Sequence, residues 1–276
     1  LMNFGDITVV IVTFKSEHKI YSCIDSIPEE SKIIIIENSD DTKFKQKIEA
    51  YRSNVDCFLT MQNNGYAAGN NFGLKKVKTK FALVLNPDTR LLKDSLKEFY
   101  NTAVKNNDFW LIGPNQDFVN NVQNGNTLEV DNIKGYAMFF NIEKFNNTFF
   151  DENFFLYFEE IDLCKQIKNK KGRILVNPKI KVEHDGGGSV KITSLHELEK
   201  NRNWHWMWST FYYHKKHKGF LLALLIVIPK IITATLKLIL NFITSNKKQR
   251  EIYLCRLSGL INSIAGKESW FRPRLD

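Results

Sequence analysis

Phe81-Ala82-Leu83-Val84-Leu85-Asn86-Pro87-Asp88-Thr89 runs five apolar residues straight into an acidic turn. An apolar run of this length reads as a strand buried on both faces, as in parallel sheets covered by helices. The turn carries Asp88 to the carboxyl edge of the sheet, where open α/β sheets bind ligands. Ile33-Ile34-Ile35-Ile36 repeats the device and ends in Glu37-Asn38-Ser39-Asp40. Two strands bringing acids to one edge predict a nucleotide site that includes a metal ion.

Working outward, residues 7–12 (Ile-Thr-Val-Val-Ile-Val) read as a first buried strand, followed by helical character over 19–27. A helix over 42–51, a short strand over 56–59 and a helix over 66–77 lead back to the strand at 81–85. A further helix is predicted over 91–104. This β-α alternation predicts a mostly parallel, doubly wound sheet flanked by helices. Beyond Gly113 the pattern loosens. Residues 115–132 read as a loop or two short edge strands, 135–140 as a strand, 154–168 as a helix, and 173–182 as two strands around Pro178. His184-Asp185-Gly186-Gly187-Gly188-Ser189 reads as a flexible loop. From 193 onward helical, aromatic and basic residues take over, so residues 1–192 are expected to form one domain and 193–276 a C-terminal helical extension.

The 276 residues suffice for one large domain with an appendage, and 43% hydrophobic with 25% charged residues excludes extensive disorder. Cys23, Cys57, Cys164 and Cys255 stand singly with no CxxC spacing, which fits neither a zinc site nor a disulfide scaffold and predicts a reduced, cytoplasmic compartment. The first strand begins almost at once, with no basic-then-apolar leader, so no secretory signal is expected. The net charge of +9 is local: between Lys200 and Arg250 there are ten Lys or Arg and no Asp or Glu. Such a segment suits either nucleic acid or an anionic bilayer.

Several residues are candidates for chemistry. Asp88 is either a ligand for Mg²⁺ or Mn²⁺, which need few protein carboxylates, or the cap of the helix that follows. Glu37 is placed to accept hydrogen bonds from a ribose or base, while Asn38 either joins it or only shapes the turn. Asn63-Asn64-Gly65-Tyr66-Ala67-Ala68-Gly69-Asn70-Asn71 either offers backbone N–H groups to a nucleotide or is an ordinary helix start; no Gly-Lys-Ser/Thr follows, so it is not a P-loop. Glu159-Glu160-Ile161-Asp162 crowds carboxylates on one helical turn, which raises their pKa and suits a general base. Phe154, Phe155 and Phe158 are expected to bury that turn. His184 before three glycines is either a metal ligand or structural.

In this order the motifs resemble family-2 glycosyltransferases of the GT-A (Rossmann-like) fold, with likeness to bacterial rhamnosyltransferase-like members that build surface polysaccharides. The resemblance rests on Val9–Phe14, Ile35–Ser39, Asn63–Ala67 with Asn70-Asn71, Leu85–Thr89, Phe154–Cys164 and His184–Ser189, and the ending Ser269-Trp270-Phe271-Arg272-Pro273 adds to it. It implies that Thr13, Phe14 and Glu37 face the nucleotide, with Asn38, Asn64, Gly65, Asn70 and Asn86 also at the donor. Asn86 and Asp88 stand at the first and last positions of the family's metal-binding Asp-x-Asp triplet, which leaves one carboxylate and brings in His184 as a second ligand. The base falls in the pair Glu159-Glu160, with Glu160 assigned and Glu159 the alternative. An inverting transfer follows, from dTDP-L-rhamnose first or a UDP-linked hexose next, to a glycan or polyprenyl-linked acceptor.

For the basic extension the expectation is interfacial helices on the inner face of the cell membrane, with the aromatics of 204–213 at headgroup depth. Residues 220–228 are nine apolar residues ended by Pro229, too few to span a bilayer, which takes roughly 20. Lys230, Thr233, Lys237, Asn241 and Thr244 then form a polar stripe. A helical pair that packs on the first domain or makes a homodimer is the alternative. Nucleic acid is not expected as a partner, because the segment is too apolar to track phosphates. A non-catalytic sugar-nucleotide binder, or a nucleic-acid binder, is the reading from another class.

Overall fold

Branched and flat side chains fill the strands, because such shapes fit a pleated surface covered on both sides. The computed structural model describes residues 4–114, 126–186 and 195–272. Its first part alternates β1 (Ile7–Thr13), α1 (Glu17–Asp25), β2 (Lys32–Glu37), α2 (Thr42–Tyr51), β3 (Val55–Leu59), α3 (Gly65–Leu74) and β4 (Phe81–Leu85). Then come β5 (Thr89–Leu91), α4 (Ser95–Lys105), β6 (Phe109–Gly113), β7 (Leu128–Glu129), β8 (Ala137–Asn141), α5 (Glu159–Asn169), β9 (Arg173–Val176) and β10 (Val182–His184).

Among the described residues, eight strands form one sheet in the order β3-β2-β1-β4-β8-β6-β9-β7, and β5 pairs with β10 separately. The β3-β2-β1-β4 half is parallel throughout, as is β6-β9, while β8 runs antiparallel to both its neighbours. Register aligns the carboxyl ends of these strands: Ile11 lies between Ile35 and Leu85, and Thr13 lies opposite Glu37. Alternation along β1 then splits the core. Val9 and Ile11 join Ile20, Ile24, Ile48 and Phe99 on one face; Val10 joins Ile34, Leu74, Phe140 and Leu163 on the other. Each fully buried Ile, Val or Phe contributes about 1.5–3 kcal/mol.

Two glycines set how closely α3 approaches the sheet. A Cβ on Gly69 would lie 2.7 Å from Val12 Cγ1, and one on Gly73 2.5 Å from Val10 Cγ1. The small residues of this motif therefore serve helix-to-sheet packing as well as the turn.

The described residues fall into two compact units: residues up to Asp151 with those from Glu159 to 186, and Glu152–Phe158 with the chain from 195. The second unit contains α6 (Leu195–Lys218), α7 (Phe220–Ile243) and α8 (Lys247–Ile264). Gly259 permits the α6–α8 crossing, since a Cβ there would run into the Trp204 carbonyl. Of the residues expected at headgroup depth, Trp204, Trp208 and Phe211 are instead buried together with Met207, whereas Trp206 is exposed and Tyr212 and Tyr213 are half-buried. The Ser269–Arg272 stretch is strapped to the same core: Phe271 stacks on Trp204, His205 bonds Ser269 Oγ (2.9 Å) and the Phe271 carbonyl (2.8 Å), and Arg272 lies over the Phe155 ring. Burial pushes the His205 imidazole down to about 3, so it stays neutral.

Several element expectations change. The helix predicted from 91 begins at Ser95 with Asp94 at its N-cap, after β5. The helix predicted from Phe154 begins at Glu159, because Phe154, Phe155, Tyr157 and Phe158 pack on Tyr212, His205 and Trp206 of α6. Pro229 does not end its apolar run; α7 continues through it to Ile243, where packing against α6 and α8 offsets the lost N–H. Residues 115–125 of the expected edge region, Gly187-Gly188-Ser189, the 192/193 boundary and Pro273 lie outside the described residues.

Candidate active site

The turn after β4 is built by its own backbone. Asn86 N–H donates to the Tyr136 carbonyl (2.9 Å), and Thr89 N–H donates to the Asn86 carbonyl (3.1 Å), so Asn86 contributes main-chain groups. The β5–β10 pair then sets His184 opposite Thr89, and the Asp185 N–H donates to the Asp88 carbonyl (3.2 Å). These bonds bring His184 Nε2 to 3.5 Å from Asp88 Oδ1. That separation is an ion-pair distance without the geometry of a hydrogen bond. The Asp88 side chain is 1% exposed, and its Oδ1 has no hydrogen-bond partner. Asp88 therefore does not cap α4.

Tyr136 holds the imidazole from the side: the rings stack at 4.6 Å with 14° between planes. Lys19 pairs with Asp185 at 2.6 Å and pins the end of β10. A buried, unpartnered carboxylate oxygen beside an imidazole nitrogen fits a divalent cation such as Mg²⁺ or Mn²⁺, whose other positions go to phosphate oxygens and water. Among the described residues no group of three or more His, Cys, Asp or Glu side chains gathers, so the protein would supply Asp88 and His184.

Beside this turn, Thr13 and Glu37 end adjacent strands. The Thr13 hydroxyl donates to Glu37 Oε2, and the Ser39 hydroxyl to Oε1 at 2.6 Å. Burial pushes the Glu37 carboxyl up from its usual range, and the two hydroxyls partly offset this. A cleft of about 870 Å³ opens here, bounded by Lys15, Ser16, His18, Tyr21, Glu37 and Ser39 among others; Asp88 is not in its lining. Phe14 sits half-buried at the end of β1 next to Lys15. Lys15, His18 and Tyr21 carried no signal in the sequence, since each lies in or beside an unremarkable amphipathic helix.

The Asn-rich segment is largely occupied with itself. Asn38 Nδ2 donates to the Gly65 carbonyl (2.9 Å), and its Oδ1 accepts from Thr60 (3.1 Å). Gly65, at φ +86°, has its N–H engaged by Asn63 Oδ1 rather than open to a phosphate. Asn64 Oδ1 accepts from Gln62 at 3.0 Å. Asn70 Nδ2 donates to the Tyr66 carbonyl, but its buried Oδ1 has no partner.

Glu159 and Glu160 open α5, where the helix dipole favours negative charge. Glu159 is buried, and its Oε2 has no partner; Glu160 is half-buried. Burial pushes both carboxyls up, Glu159 further because the Glu160 charge adds to the effect. Asp162 is turned into the core, bonded by Gln166 at 2.6 Å, and leaves the cluster. Tyr66 reaches the Gly135 carbonyl, and a Cβ on Gly135 would lie 3.5 Å from Glu160 Cβ. Gly135 leads into Tyr136. Glu160, Gly135, Tyr136, His184 and Asp88 are thus successive neighbours along one edge of the sheet. Just before Glu159, Tyr157 and Phe158 both hold φ +71°, a conformation costing on the order of 1–3 kcal/mol per non-glycine residue.

The profile of glycosyl transferase family 2 matches residues 8–164, from β1 into α5. The chain belongs to glycosyl transferase family 2. This glycosyltransferase is 24% identical over 195 residues to the low-salt glycan biosynthesis hexosyltransferase Agl10 of Haloferax volcanii, covering 60% of the chain and 62% of that protein. It is 25% identical over 151 residues to the teichoic acid poly(glycerol phosphate) polymerase of Staphylococcus epidermidis, covering 52% of the chain and 20% of the polymerase. The chain thus spans less than two thirds of either relative.

Solved structures share the fold. The mannosyltransferase PcManGT of Pyrobaculum calidifontis, in complex with GDP-Man and Mn²⁺, matches with TM-score 0.57 and 12% identity over 95% of this chain and 88% of that one. GalNAc-T7, with UDP, GalNAc and Mn²⁺, gives 0.55 and 13% over 64% and 43%. S. aureus TarS gives 0.51 and 17% over 76% and 44%. The family-2 glycosyltransferase fold is therefore GT-A-like.

Proposed function

We propose that this glycosyltransferase moves a hexosyl group from a nucleoside-diphosphate sugar to a glycan or polyprenyl-linked acceptor, with inversion at the anomeric carbon. Surface-polysaccharide assembly at the inner face of the cell membrane is the assigned setting. dTDP-L-rhamnose is the first donor, and UDP-linked hexoses are the second. The observation that carries this reading is the buried Asp88 carboxylate with its unpartnered oxygen beside His184. That two structural relatives carry a nucleotide or nucleotide sugar with Mn²⁺ supports it.

Asp88 and His184 would hold a Mg²⁺ or Mn²⁺ ion, which when bound offsets charge on the departing diphosphate. Thr13, Glu37 and Ser39 border the nucleoside cleft and orient the donor. Glu160 accepts the proton of the acceptor hydroxyl as that oxygen bonds to the anomeric carbon, and the nucleoside diphosphate leaves with the electron pair of the broken C–O bond. Glu159, held more strongly protonated, is less available than Glu160 to accept a proton. Unequal environments of neighbouring carboxyls commonly divide their roles in this way.

Calorimetric titration of dTDP, UDP and GDP, with and without Mn²⁺, tests the reading on wild type and Asp88→Ala. Metal-dependent binding of dTDP or UDP that Asp88→Ala weakens is expected. Absence of metal-dependent binding to all three nucleotides would overturn it.

A further inference from the structure

Helix α7 carries three separate stripes. Ala223, Val227 and Ala234 turn inward, toward Met207 and Phe211 of α6 and Leu260 of α8. Leu221, Leu225, Ile228, Ile232, Leu236 and Ile239 recur every three or four positions on the outward side and are 38–75% exposed. Lys230, Thr233, Lys237 and Asn241 form a polar stripe between the two. Over 24 residues the outward strip is about 36 Å long, far more continuous than the scattered apolar residues soluble proteins leave bare.

We propose that the outward face of α7 seats in one leaflet of an anionic bilayer, with the helix lying in the membrane plane rather than crossing it. Charge selects this occupant. The segment from Lys200 to Arg250 has ten Lys or Arg and no acid, and Lys215, Lys218, Lys237, Lys247 and Lys248 are exposed. Anionic headgroups complement that surface. A second copy would bring its own basic segment against it.

Packing selects the orientation. By length and composition α7 is able to cross a membrane, but its inner stripe is fastened to α6 and α8. Crossing would drag both helices along, with Arg250, Glu251 and Arg256 of α8 and Glu199, Lys200 and Arg202 of α6. Charged side chains are among the costliest groups to place at bilayer depth. Lying flat leaves them in water, where Arg256 bonds Asn203 at 2.9 Å and Glu251 meets His196 at 2.8 Å. Basic groups also lie over rings at the α7–α8 edge, Arg250 over Phe242 and Lys237 over Tyr253. Such stems cover apolar surface while their heads reach a charged interface.

The inference deepens the membrane setting proposed above and does not depend on the transfer chemistry. The test uses the full chain with phosphatidylcholine vesicles, alone and mixed with phosphatidylglycerol. Flotation with the anionic vesicles is expected, reduced at least tenfold by Leu225→Ser with Leu236→Ser. Lys237→Glu should reduce it about fivefold or more on anionic vesicles only. Nucleotide titration and circular dichroism verify that each variant is folded.

Orientation is read from nitroxide labels at Leu225→Cys, Ile232→Cys and Ile239→Cys in a Cys255→Ser background, the remaining cysteines being buried. Equal shallow depths, by oxygen and nickel-chelate collision, are expected for all three labels. A depth that peaks at 232 means a span and overturns the proposal. So does failure to float in a chain that still binds nucleotide, a result that leaves the transfer reading standing. A stable solution dimer that the double serine variant dissolves, or polynucleotide capture without vesicle binding, would likewise overturn it.

Discussion

Asp88→Asn should make the free protein more stable while it removes the proposed metal ligand. The Asp88 side chain is 1% exposed, and its Oδ1 has no hydrogen-bond partner; His184 Nε2 lies 3.5 Å from it. A buried polar group left unsatisfied costs about 1–3 kcal/mol. The amide keeps the shape of the side chain and, being neutral, costs less to bury unpartnered than a carboxylate does, so a gain of about 1–2 kcal/mol is expected. For a chain of this size that is roughly 2–8 °C in the thermal transition without metal. The opposite sign is expected for ligand binding. Altering even the outer partners of a metal ligand commonly costs about 10–100-fold, so loss of the carboxylate should weaken Mn²⁺-dependent nucleotide binding by more than about 100-fold. Calorimetry with dTDP or UDP and a melting curve on the same samples supply both numbers. A variant that melts earlier and still binds nucleotide with Mn²⁺ would refute the reasoning, because Asp88 would then be a structural turn residue.

Other outcomes follow from the same geometry. Glu160→Gln should lower turnover by about 10²–10⁴-fold with nucleotide binding retained, whereas Glu159→Gln should keep most of the activity; reversed results would move the base to Glu159. Because burial raises the Glu160 carboxyl above 4.5, the rising limb of kcat/KM against pH should lie above that value. Glu37 is likewise raised, so the folded state holds its proton after the unfolded chain has lost it. Its contribution to stability therefore falls as pH rises from about 4.5 through the folded value, and Glu37→Gln should flatten the dependence of Tm on pH there; an unchanged slope would count against this. Gly73→Ala should cost about 1–3 kcal/mol by overpacking, since its Cβ would fall 2.5 Å from Val10 Cγ1; denaturant unfolding measures it, and a neutral result would mean that α3 can shift.

Much of the sheet was legible because buried parallel strands write themselves as uninterrupted apolar runs. Phe81–Leu85 and Ile33–Ile36 needed no partner to be recognised, and the acid ending each run pointed to the ligand edge. The β6 strand, Phe109–Gly113, was equally apolar but passed unnoticed between a helix and an Asn-rich stretch. Pro229 was misleading for a physical reason: its local penalty is fixed, while the packing that overrides it comes from α6 and α8. Trp204, Trp206, Trp208 and Phe211 look alike in sequence whether they face lipid or form a core; that Trp206 is exposed while the other three are buried is a tertiary fact.

The family, the alternating α/β frame and the edge at which Asp88 and Glu37 emerge were all readable from local runs and their order. Which distant residues attend them came from strand pairing alone. His184 reaches Asp88 through the β5–β10 ladder, Tyr136 stacks on it from the start of β8, and Gly135 lies against Glu160. Such neighbours are joined by strand pairing across long stretches of chain, and neither composition nor periodicity records which strands pair.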